Sequence, residues 1–184
     1  MPDRRLLAHR LPALAFAAFL VVIAGSAAVL FALKMGLGPG HVAAYYRGDA
    51  AAFAPAKSFD GLLLVAVPHL AAIPLVLFAA AHVVGWARAL PGRWHRALLV
   101  LSFGCAALSI GGGFLVRYGP PALAWLKIAA FAGLEAALLA WAALLVRVFL
   151  PLRHGLAVGT PGVAKTRPAE STTIASTPAS RASR

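Results

Sequence analysis

Acidic residues are almost missing from this chain of 184 residues: five Asp and Glu stand against 17 Lys and Arg, a formal net charge of +12. Charge of either sign is scarce, at 12% of residues. A soluble domain is about a quarter charged. Cysteine is also scarce. The single Cys105 lies in a hydrophobic run, which rules out a disulfide within the chain. With no Cys-x-x-Cys and no Cys-x-x-Cys-His, a thiolate metal site and a c-type haem attachment are excluded as well. No nucleophile and base stand in a recognisable constellation, which argues against soluble-style catalysis.

What is abundant is hydrocarbon. Apolar residues make up 61% of the chain, and the mean hydropathy is +0.84. A soluble fold could not hide that much apolar surface, so the solvent must be a bilayer. The excess basic charge could suggest nucleic acid. It is spread instead over the ends of hydrophobic runs, where its partners are anionic lipid headgroups and the charge rule of membrane insertion. The expected partners are therefore the lipid bilayer and other membrane subunits or a second copy of the chain, with no nucleic acid.

Four runs are long enough to cross a hydrocarbon core of about 30 Å. They predict helices at about 11–34, 60–87, 96–117 and 120–147. The first run could be a secretory signal, but it outlasts the usual apolar segment of about 7–15 residues. It is expected to remain as a helix. Pro120 and Pro121 suit a helix's first turn. The long polar connection from Lys34 to Asp60 should carry some structure of its own, with Tyr45 and Tyr46 at headgroup level. Residues 155–184 are rich in Ser, Thr, Ala, Pro and Arg. They cannot bury enough apolar area to offset ordering entropy and should form a disordered basic tail. The fold class is all-α, a four-helix transmembrane bundle over residues 1–154, because only helices and closed barrels satisfy the backbone in lipid.

Arg4, Arg5 and Arg10 precede the first span; Arg88, Arg93 and Arg96 follow the second; Arg147 and Arg153 follow the fourth. With four spans these fall on one face. The purely basic short loop then puts both termini in the cytoplasm.

Few residues within the spans carry chemistry. Glu135 falls near mid-membrane, where a carboxylate is costly and a functional role is the default hypothesis. The alternative is a neutral carboxyl bonded to a neighbouring helix, and by depth His69 is the best partner. Lys127 shares a broad face with Glu135, about 12 Å away along the axis, and is expected to snorkel to the nearer interface. His69 and His82 share the second span, about 20 Å apart along the axis and about 140° apart around it. Neutral imidazole ligates haem iron and other metals. Two cofactors across the bilayer, or one site at either histidine, are open. By depth, His41 is a second ligand for His69, and His95 or His154 for His82. Hydrogen bonding between helices is the plain alternative. Gly111, Gly112 and Gly113 narrow the third span, for helix packing or for a flat cofactor.

Tyr45-Tyr46-Arg47-Gly48, Lys57-Ser58-Phe59, Leu62-Leu63, His69-Leu70, Pro74, His82 and the Arg117-Tyr118 corner resemble an uncharacterised family of small bacterial four-helix membrane proteins that look like miniature cytochrome b subunits. In that family the second helix opens with a His-x-His pair; here His69 matches the second member and Val67 stands at the first. The resemblance implies a redox-associated protein of the bacterial inner membrane. The functional expectation is an electron-transfer subunit holding b-type haem, with His69 and His82 as ligands. The alternatives are a cofactor-free structural or assembly subunit, and a small transporter or proton-conducting element built on Glu135 and Lys127.

Overall fold

A computed structural model describes residues 9–150; the predicted tail and His154 lie outside the described residues. Helix α1 runs Arg10–Met35, α2 Pro39–Arg47, α3 Phe59–Trp86, α4 Gly92–Tyr118 and α5 Leu123–Phe149. All but α2 are long and apolar enough to cross a membrane. The outer faces carry large apolar side chains such as Phe19, Leu64, Leu75 and Val100, as lipid contact requires. Exposed Trp86 and Trp94 mark one end of the bundle, and exposed Tyr118 and Trp125 the other. Indole and phenol rings favour these headgroup depths.

Local chemistry sets the helix ends. Gly36 (φ 68°) stops α1 and Gly48 (φ 86°) stops α2, both in the left-handed region where glycine lacks the Cβ penalty. At Gly48 a Cβ would also stand 2.7 Å from the Ala56 nitrogen. Pro39 opens α2. The Ser58 hydroxyl caps α3 by accepting from the Gly61 amide at 3.1 Å. The last helix starts at Leu123, just past Pro120 and Pro121 rather than on them. Their carbonyls accept from the Leu123 and Ala124 amides, both at 3.0 Å.

Helix α5 is the centre of the bundle, with α1 along one side, α4 along the other and α3 on α4. Its buried positions, from Ala124 and Ala130 through Leu134, Leu138 and Trp141 to Leu145 and Phe149, recur at helical spacing on a broad face. The end where α1 starts and α5 finishes, the termini end, packs around Trp141, Leu20 and Leu77. There Trp141 Nε1 donates to Ser102 Oγ at 3.0 Å, and that hydroxyl donates to the Leu98 carbonyl at 2.6 Å. The opposite, connector end packs around Phe31, Val42, Tyr46 and Val116. Phe31 and Phe131 stack there with centroids 4.2 Å apart.

Helices α1 and α3 face each other across a seam instead of interlocking. One cavity occupies each end of that seam.

Candidate functional site: two cavities in the seam

The connector-end cavity has a volume of about 510 Å³. Its rim is held by a set of arginine bonds. Arg117 Nε donates to the Lys57 carbonyl at 2.9 Å, and the Lys57 amide donates to the Tyr46 carbonyl at 3.0 Å. Arg47 donates to the Gly119 carbonyl at 2.6 Å, closing α2 onto the end of α4. These bonds bring Tyr45, Tyr46 and Lys57 over the cavity. The ammonium of Lys57 lies 4.5 Å from the centroid of the Tyr45 ring.

Lys127 corrects an expectation. Instead of snorkelling outward it is buried, at 8% exposure. Its Nζ donates to the Ser109 carbonyl and approaches the Ser109 hydroxyl at 3.3 Å. The glycine run on α4 makes the room. A Cβ at Gly112 would sit 2.9 Å from Lys127 Cδ, and one at Gly113 would sit 3.0 Å from Tyr46 Cε1. Burial holds the Tyr46 phenol above the ordinary tyrosine value, and neighbouring Tyr45 adds to the shift. Its hydroxyl has only a long contact, 3.7 Å, to the Met35 thioether. His69 also lines this cavity, with Nδ1 bonded at 2.6 Å to the Val65 carbonyl of its own helix.

The cavity at the termini end has a volume of about 440 Å³ and is lined by His9, Ala13, Phe16, His82, Val83 and Trp86 among others. The His82 ring stacks on Phe78 with centroids 5.8 Å apart, and the His9 ring meets Trp86 edge-on at 5.3 Å.

The remaining candidates stand apart. His41 packs against the Gly36 turn and lines neither cavity, so the depth match with His69 yields no shared site. His95 sits edge-on to Trp141 at 5.5 Å, not in the cavity of His82. Its Nδ1 is buried with no partner among the described residues. The Glu135 Oε2 is likewise buried without a partner among the described residues, so His69 is not its hydrogen-bond mate. Among the described residues no three His, Cys, Asp or Glu side chains cluster to hold a metal ion.

His9, Lys34, Lys57 and Ser109 are site residues that sequence reasoning missed. In the sequence Lys34 and Lys57 are two of the many basic residues at the ends of hydrophobic runs. The depth they share with Lys127, at the end of α1, just before α3 and in the first turns of α5, was the signal available for the two lysines.

Residues 36–154 match a family described as a transmembrane helical domain. The chain belongs to this Aq_1264_TM family. The match begins where α1 ends, so the family domain comprises α2 to α5. Helix α1, with His9 and Lys34 at its two ends, lies outside it. No curated protein and no solved structure matches the chain.

Proposed function

We propose that this protein is a redox-associated subunit of the bacterial inner membrane, binding one b-type haem at the termini end between His82 and His9. The observation that carries the reading is that these two imidazoles, from α3 and α1, line one cavity. The donor chemistry fits. Two neutral imidazoles are the ligand set of a six-coordinate b-type haem. Ala13, Phe16 and Val83 provide apolar walls. Arg10 and Arg88 stand at the adjoining helix ends, close to where propionates would reach water. His82 is exposed on the surface of the chain, and an uncovered polar ring at membrane depth is costly. A bound haem would relieve that cost and would supply one-electron transfer.

This reading keeps His82 as a ligand and replaces His95 and His154 by His9. It leaves His69 out of haem binding. The proton-conducting alternative draws less support, because Lys127 is engaged by Ser109 and is bonded to no acid among the described residues.

A dithionite-reduced visible spectrum of protein purified from haem-replete cells tests the proposal. The sharp reduced band of bis-histidine haem is expected in the wild type. It should vanish in His82→Ala and in His9→Ala and persist in His69→Ala. A colourless wild type would end the proposal and favour the structural-subunit alternative.

A further inference from the structure

The connector-end cavity has no role in haem binding as proposed, yet it is the more unusual of the two. Three lysines, Lys34, Lys57 and Lys127, line it, and among the described residues no Asp or Glu does. Like charges sharing a poorly solvated space repel, and a lysine removed from water is costly unless compensated. Lys127 is compensated only in part. An ammonium has three protons to donate, and Ser109 offers this one a carbonyl and a hydroxyl oxygen. The Tyr46 hydroxyl, bonded only weakly to sulfur, is a further donor on the same wall. Donors outnumber acceptors, and the fold spends two glycines, Gly112 and Gly113, on admitting Lys127 and Tyr46.

Apart from the lysines, the tyrosines, Ser109 and His69, the walls are largely hydrocarbon, with Ile73, Ile110, Phe114 and Phe131. Along α3 the cavity extends from Gly61 to Ile73, about 18 Å at 1.5 Å per residue. Lys34 and Lys57 thus stand at the connector end, the Lys127 ammonium reaches in to Ser109, and the part beyond is mostly apolar.

We propose that this cavity binds an anionic amphiphile, its phosphate or carboxylate head held by Lys127, Lys57 and Lys34 and its chain lying along Ile73, Ile110 and Phe131. The head supplies the acceptors that Lys127 and Tyr46 lack and neutralises the clustered charge. The chain covers the apolar wall at the seam, which α1 and α3 leave open to one another. This site is independent of haem at the other end.

The test is native mass spectrometry of the full chain released from a neutral maltoside detergent, titrated with dodecyl phosphate, dodecanoate, inorganic phosphate or dodecyltrimethylammonium. One dodecyl phosphate or dodecanoate should bind per chain. Inorganic phosphate and the cationic amphiphile should bind at least about tenfold more weakly, the scale of one charge-assisted hydrogen bond. Lys127→Gln should weaken dodecyl phosphate binding by about tenfold or more, and Lys127→Arg by much less. If Lys127→Gln does not fold, the exposed rim variant Lys34→Gln decides, with an expected loss of about threefold for a partly solvated charge. Unchanged affinity in the deciding variant would overturn the proposal. So would equal binding of the cationic amphiphile, or of inorganic phosphate.

Discussion

Tyr46 shows at the scale of one residue how the connector end is assembled. Gly113 on α4 clears space for its ring, its carbonyl accepts from the Lys57 amide, and the residue lines the cavity. Because burial raises its folded-state pKa, the folded protein holds the phenolic proton more tightly than the unfolded chain does. That contribution to stability is complete below the ordinary tyrosine value of about 10. It declines as the pH rises past that value towards the folded-state value. Thermal unfolding in detergent should therefore fall off above about pH 10 in the wild type. The fall should be shallower in Tyr46→Phe, which at neutral pH loses only a weak bond to sulfur. Identical high-pH profiles would show that Tyr46 ionises freely.

Between elements, the closest approach depends on a residue that carries no side chain. A Cβ at Gly133 of α5 would lie 2.6 Å from Cys105 Sγ on α4. Gly133→Ala should destabilise the bundle by about 1–3 kcal/mol through overpacking. Cys105→Ala, which removes the obstructing sulfur, should recover much of the loss in the double variant, because the two sites are coupled. Additive losses in a thermal-unfolding cycle would mean that these helices separate at this point. Small residues matter here because lipid tails offer no hydrophobic incentive for helices to associate, which leaves close packing to do it.

For the whole molecule, helix positions fix which groups share an end, and basic charge proposes which end faces the cytoplasm. In a Cys105→Ser background, cysteine at Ala50 should react with an impermeant thiol reagent added outside intact cells, and cysteine at Arg93 should not. The opposite pattern would invert the proposed topology. It would move the cavity of His9 and His82 to the outer surface and the lysine cavity to the inner one.

The all-α class and the four spans were legible in the sequence because each run meets the bilayer's length requirement by itself, with every backbone bond satisfied within the segment. The structure of the long connection was legible in outline only; that it would hold α2 over a cavity depends on Arg47 reaching the Gly119 carbonyl past the end of α4 and on Arg117 of α4 reaching the Lys57 carbonyl. Depth along a helix follows from counting residues, so His69 and His82 could be assigned to different levels. Which residues meet at a given depth depends on the order and rotation of helices around the bundle, and apolar runs surrounded by lipid leave that weakly specified. Tertiary structure therefore decided that His82 shares a cavity with His9 and not with His95, that Glu135 is left without His69, and that Lys127 turns inward. The inward turn needs a packing partner on another helix: Ser109 to accept its protons and Gly112 to give it room.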